Sequence, residues 1–195
     1  MVSILKNPDH SSSTTFDSSR RRFLSGSASL LTAAALAPAV IRPAHAAIGP
    51  RHLSFYHTHT GEKLALDYHD GSACIPESLA EINHFLRDFR TEAVHTIDPG
   101  LLDLLHDLKQ ATNTSGTFEV ISGYRSPATN AKLRSTSNGV AKRSLHMQGK
   151  AIDIRMTGFD TRELHRASKA LARGGVGYYQ KSDFVHVDTG RVRYW

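Results

Sequence analysis

Two short segments, AIDIRM at Ala151–Met156 and FVHVD at Phe184–Asp188, limit the fold more than any other part of the chain. Both alternate with a period of two, the signature of a strand whose successive side chains point to opposite faces. Ile152, Ile154 and Met156 share one face of the first, and Val185 and Val187 share one face of the second. The opposite faces carry Asp153 and Arg155 in the first and His186 and Asp188 in the second. A carboxylate left unpaired in a sheet core is costly, so Asp153 must be paired, hydrogen-bonded, solvated or bound to a metal. The chain therefore needs a sheet with one packed apolar face and one face bearing imidazole and carboxylate groups.

His146 stands seven positions before Asp153, in the stretch SLHMQGKAID. Gly149 between them lets the backbone bend back, so the two side chains can converge. A His, Asp, His set leaves one position open on a tetrahedral Zn²⁺, the arrangement of hydrolytic zinc sites. The competing reading is a pair of solvated polar strand faces with no chemistry, in which Asp153 decorates the surface or pairs with Arg155.

Around these strands the pattern predicts one α+β domain, a small antiparallel sheet with packed helices. Residues 51–70 read as a β-hairpin turning at Thr60-Gly61, with His57, His59 and His69 as further imidazoles of weak ligand character. Residues 76–90 and a stretch opening at Pro99 show helical spacing, the latter through Leu101, Leu102, Leu104, Leu105 and Leu108. Phe118–Ser122 is a strand and residues 128–133 a short helix. Residues 134–144 read as a loop, and residues 161–172 as a helix capped at Asp160 or Thr161. Gly174, Gly175 and Gly177 read as its end, with Tyr178 and Tyr179 opening the last strands.

The first 46 residues read differently. Arg20, Arg21 and Arg22 precede an apolar run from Phe23 to Ile41, which ends at a small-x-small site, Ala44-His45-Ala46. This is the plan of an export signal, and Ser19-Arg20-Arg21-Arg22-Phe23-Leu24 resembles the twin-arginine type. The expected partner is the twin-arginine export machinery, and the expected location is the periplasm or cell wall. Pro38 and Pro43 weaken the alternative of a membrane-spanning helix. Cleavage there leaves residues 47–195. The signal takes five basic and two acidic side chains with it, so the charge falls from +6 to +3. That balance, without a basic stripe interleaved with aromatics, argues against nucleic acid as a partner. Cys74 is the single cysteine, so no intramolecular disulfide can form, and it reads as a buried filler. No motif sets an oligomeric state.

Ser144, His146, Gly149, Ala151 and Asp153, followed by a strand histidine, make the chain resemble the zinc D-alanyl-D-alanine carboxypeptidase and hedgehog-like metallopeptidases. FYHTHTGEKL, GYRSP, SLHMQGKAIDIR, GGVGYY and FVHVDTG together resemble the exported murein endopeptidase branch, from about Leu53 to Trp195. The resemblance implies one Zn²⁺ held by His146, Asp153 and His186. It implies Arg125 as a holder of a stem-peptide carboxylate or carbonyl, and Ser144 as a substrate contact or a hydrogen-bonding neighbour of the ligands. The substrate implied is peptidoglycan stem peptides, and the reaction cleavage of their cross-links. A carboxypeptidase trimming stem ends and an inactive wall-binding protein are the alternatives. Relatives often carry a glutamate three residues before the last ligand. Asp183 holds that position here, and Asp188 is its rival as the general base or as a partner of an imidazole.

Overall fold

The computed structural model describes residues 49–137 and 139–195. The export-signal reading of residues 1–46 lies outside the described residues. Among the described residues, no helix is long and apolar enough to cross a membrane.

The hairpin forms as expected, from β1 (Arg51–His57) and β2 (Lys63–His69). Two of its histidines serve turns. His57 Nδ1 accepts the backbone N–H of His59 at 3.2 Å, and His69 Nδ1 accepts that of Gly71 at 3.0 Å. Cys74 is half-buried. Helix α1 (Pro76–Phe85) stops five residues short of the expected end. The cause is Asp88, whose buried carboxylate accepts the N–H groups of Arg90 at 3.1 Å and Ser126 at 2.9 Å. Those bonds draw the chain into a turn closed by Asp88 N–H to Ala93 O, 3.0 Å, and the local side-chain acceptor outcompetes another helical turn.

Helix α2 (Pro99–Ala111) is capped by Asp98, which accepts the N–H of Gly100, and buries all five leucines noted in its sequence. Strand β3 (Phe118–Ser122) follows. Helix α3 (Pro127–Thr136), capped by Ser126, runs three residues further than expected. Asn130 on it donates to Ala141 O at 3.2 Å and so ties down the loop beyond. A 3₁₀ turn (Leu145–Gln148) precedes β4 (Ala151–Met156), and α4 (Thr161–Leu171) is capped by the Asp160 carboxylate on two N–H groups. Strands β5 (Gly175–Tyr179), β6 (Phe184–Asp188) and the two-residue β7 (Arg193–Tyr194) complete the chain.

The α+β class stands, with a larger sheet than expected. Seven strands run in the order β2-β1-β3-β4-β6-β5-β7, and the β1–β3 and β5–β7 pairs are parallel. A parallel neighbour needs a crossover, which α1 and α2 supply between β1 and β3. The core lies between α1, α2 and α4 and one sheet face, where Leu53, Phe55, Phe118, Val120, Ile152, Ile154, Val185 and Val187 are all buried. Burying such side chains contributes about 1.5–3 kcal/mol each, enough to fix the register. The register sets Asp153 directly opposite His186, and an irregularity in β3 sets Ser122 opposite Asp153.

Candidate metal centre

Neighbouring strands thus bring Asp153 and His186 together on the face away from the helices. His146 arrives from the 3₁₀ turn. That turn closes with Gly149 at φ +65°, where a Cβ would sit 2.1 Å from the carbonyl oxygen of Thr96. The bend expected at Gly149 is real, and it is locked from outside by Asp98 N–H donating to Gly149 O at 2.9 Å. All three side chains are buried.

Three atoms converge. Asp153 Oδ1 lies 2.8 Å from His186 Nδ1 and 3.3 Å from His146 Nε2, and the two nitrogens are 3.2 Å apart. Bonds of 2.0–2.1 Å to a tetrahedral zinc place donor atoms about 3.3 Å apart, so the spacing suits such an ion. The far nitrogens are also committed. His146 Nδ1–H donates to Gly123 O at 2.8 Å, and His186 Nε2–H donates to Asp188 Oδ2 at 2.9 Å. Metal-bound histidines are held in this way, the second nitrogen fixing which one faces the ion. Among the described residues this is the one group of three His, Cys, Asp or Glu side chains with ligand atoms so close.

The protonation states agree with the geometry. Burial pushes the His146 pKa down, which favours the neutral ligand form. Burial works to raise Asp153, but the charges and hydrogen bonds of His146 and His186 hold its carboxyl well below the usual range. For His186 burial acts downward, yet the hydrogen bonds to Asp153 and Asp188 lift it to about 9. The proton shared between His186 Nδ1 and Asp153 is the one a cation would displace.

A cavity of about 620 Å³ opens over these atoms. Arg125 and Ser144 line it, with Arg143, Tyr179, Phe184, Arg193 and Trp195. Arg125 Nη2 lies 3.4 Å from both Asp153 Oδ2 and Ser122 Oγ, and its Nε is buried with no partner among the described residues. Burial pulls its pKa below the usual value. Ser144 is buried at the N-cap of the 3₁₀ turn, where its carbonyl accepts the Met147 N–H at 3.1 Å.

The two carboxylates proposed for proton transfer lie elsewhere. Asp188 sits behind His186, with no exposed side-chain surface, and accepts five hydrogen bonds, from His186, Gly175, Gly190 and twice from Arg193. Burial acts to raise its pKa, but those donors hold it well below the usual range. Asp183 follows a short 3₁₀ turn at φ +51°, outside the cavity lining, with its side chain 61% exposed and 3.6 Å from Arg155 Nη1. Sequence reasoning missed Arg193 and Trp195. The alternation in RVRYW was their one signal, and it is too short to read as a strand.

The family model described as peptidoglycan L,D-endopeptidase MepK matches residues 45–195. The peptidoglycan L,D-endopeptidase MepK of Escherichia coli (strain K12) is 42% identical over 184 residues, which covers 92% of this chain and 98% of that protein. The protein of the same description from Shigella flexneri is similar to the same extent, 42% over 184 residues. A probable peptidoglycan L,D-endopeptidase MepK from Haemophilus influenzae is 42% identical over 147 residues, 75% of this chain and 79% of its own length.

Proposed function

Because the chain belongs to the peptidoglycan L,D-endopeptidase MepK family, we propose that it hydrolyses L,D-type peptide cross-links of peptidoglycan, with Zn²⁺ held by His146, Asp153 and His186. The resemblance to murein endopeptidases read from the motifs is borne out by that membership. The observation that carries the metal reading is the convergence of His146 Nε2, Asp153 Oδ1 and His186 Nδ1, with the far nitrogens of both histidines bonded to Gly123 O and Asp188.

His146, Asp153 and His186 would hold the ion, and when bound it would supply Lewis acidity for amide hydrolysis at neutral pH. The chain's own residues do the rest. Arg125 lines the cavity and offers its guanidinium to a carboxylate or carbonyl of the stem peptide. Ser144 lines the approach beside it. Asp188 keeps the proton on His186 Nε2 and so presents Nδ1 to the metal. Of the two carboxylates, Asp183 is the one with freedom to move a proton. It is exposed, held by a single long contact, and flanked by the cavity-lining Ser182 and Phe184. In this reading the carboxylate swings in when substrate fills the cavity and carries the proton from water to the leaving amine.

The substrate lies outside the cytoplasm, so residues 1–46 act as a twin-arginine export signal in the same reading. The test is digestion of purified muropeptide dimers carrying either L,D or D,D cross-links, with products read by chromatography and mass. Conversion of the L,D dimer to monomers is expected. Release of single residues from stem ends with intact dimers would make the protein a carboxypeptidase, and no turnover by zinc-loaded protein would leave a wall-binding role.

A further inference from the structure

Strand β7 is two residues long, and it pairs in parallel with β5 so that Arg193 lies beside Gly175 and Tyr194 beside Val176. Its backbone adds little to the sheet, and Tyr194 turns away to Lys169 O, but the Arg193 side chain reaches the residues behind His186. Arg193 Nη1 donates to Asp188 Oδ1 at 3.0 Å and Nη2 to Asp188 Oδ2 at 2.7 Å, a two-pronged ion pair. Asp188 Oδ2 also receives the His186 Nε2–H, at 2.9 Å. The other oxygen is anchored by backbone, through Gly175 N–H at 3.0 Å and Gly190 N–H at 2.8 Å. Arg193 is therefore what holds Oδ2 in place for the imidazole.

The GGVGYY segment is shaped to admit this contact. A Cβ at residue 175 would lie 2.3 Å from Arg193 Nη1 and 2.5 Å from Asp188 Oδ2. One at residue 177, directly opposite His186 across the β5–β6 pair, would lie 2.5 Å from the Trp195 indole. The Trp195 ring sits 5.2 Å from the His186 ring and 5.0 Å from the Arg193 guanidinium, and its Nε1–H donates to Tyr179 Oη at 3.1 Å. Two glycines on alternate positions of β5 thus open the space that two side chains of the C-terminal segment fill.

We infer that Arg193 is a positioning residue for the metal site, acting through Asp188 on His186, with Gly175 as the residue that makes room for it. The inference rests on the reading above that His146, Asp153 and His186 hold a metal. A guanidinium on both carboxylate oxygens fixes the plane of Asp188. That plane fixes the proton on His186 Nε2 and the angle at which Nδ1 faces the ion. In its absence Oδ2 is held by the imidazole alone.

The test measures zinc affinity by chelator competition for the wild-type protein, Arg193→Ala, Arg193→Lys, Asp188→Asn, the Arg193→Ala/Asp188→Asn double variant and His146→Ala. Apo-protein Tm is recorded in parallel, and the Co²⁺-loaded forms are compared by visible absorption. Arg193→Ala is expected to weaken zinc about 10–100-fold and to change the cobalt spectrum. Arg193→Lys, which keeps the charge but loses the fork, is expected to fall between. In the Asp188→Asn background the Arg193→Ala change is expected to add less than about threefold, because both act along one path. A lowered Tm with zinc affinity within about twofold of wild type would overturn the inference and leave Arg193 merely structural. Should Arg193→Ala fail to fold, Arg193→Lys decides it, wild-type affinity and spectrum being the contrary result. Wild-type protein that binds zinc no better than His146→Ala would instead refute the metal reading, and this inference with it.

Discussion

Replacing Gly149 by alanine separates two costs that the structure combines at one residue. Gly149 has φ +65°, a left-handed conformation that costs an L residue roughly 1–2 kcal/mol. Its added Cβ would also sit 2.1 Å from the carbonyl oxygen of Thr96 and 3.0 Å from the carbonyl carbon. Those are backbone atoms, so the segment at residues 96–98 must shift. The bond from Asp98 N–H to Gly149 O is then lost, at about 1 kcal/mol or more. The sum is roughly 3 kcal/mol, a large share of the 5–15 kcal/mol that holds an ordinary domain folded. Gly61 supplies the control. It has φ +76° but nothing within 4 Å of an added Cβ, so Gly61→Ala should show the conformational cost alone, roughly 1–2 kcal/mol. Urea unfolding of both variants gives the difference. Because Gly149 joins the turn bearing His146 to the strand bearing Asp153, Gly149→Ala should also weaken zinc binding while Gly61→Ala leaves it alone. Equal stability losses within about 0.5 kcal/mol, with equal zinc affinity, would refute the claim that packing against Thr96 sets the path between the two ligands.

Three further outcomes follow from the same geometry. Asp183→Asn should lower kcat about 100-fold or more with zinc affinity unchanged, and activity near wild type would remove Asp183 from proton transfer. Arg125→Lys should cut kcat/KM for cross-linked substrate more than about tenfold with one zinc per chain retained, since a point charge replaces a fork; a change below twofold would remove Arg125 from substrate binding. Burial acts to raise the Asp88 carboxyl, but hydrogen bonds from Ser126 and Thr129 hold it down at about 2, below its ordinary 3.8. A depressed carboxylate pKa stabilises the fold above the unfolded value and loses that contribution as pH falls through the folded one. Asp88→Asn should therefore be roughly 2 kcal/mol less stable than wild type at pH 7, with the gap closing between pH 4 and pH 2. A gap independent of pH in unfolding titrations would contradict that.

The buried His146, Asp153 and His186 cluster was legible because His186 and Asp153 interrupt runs whose alternation is otherwise apolar, and a polar group in such a place needs a reason. Gly149 was legible for a related cause, as a residue without a side chain between two with strong chemistry. What stayed hidden depends on partners far along the chain. The end of α1 is set by Asp88, which bonds Arg90 locally and Ser126 thirty-eight positions on, and the distant half of that arrangement does not show at residues 86–90. Gly175 and Gly177 read as helix terminators, yet they lie in β5 and are small because Arg193 and Trp195 occupy their side-chain space. The two parallel pairings, and the choice of Nδ1 on His186, are likewise decided by strands and carboxylates that meet only in the folded sheet. The sequence left both Asp183 and Asp188 as candidates for the general base, on different grounds. Their surroundings separate them, one largely exposed outside the cavity lining and one enclosed behind His186.

The most direct test of the account is a zinc titration of metal-stripped protein, counting ions bound per chain while following cleavage of L,D-cross-linked muropeptide dimers. The account predicts that cleavage is absent without metal and rises in proportion to zinc up to one ion per chain. It also predicts that His146→Ala, Asp153→Ala and His186→Ala neither retain the ion nor recover activity. Full turnover by protein holding far less than one ion per chain, or an unchanged zinc count in the three ligand variants, would contradict it.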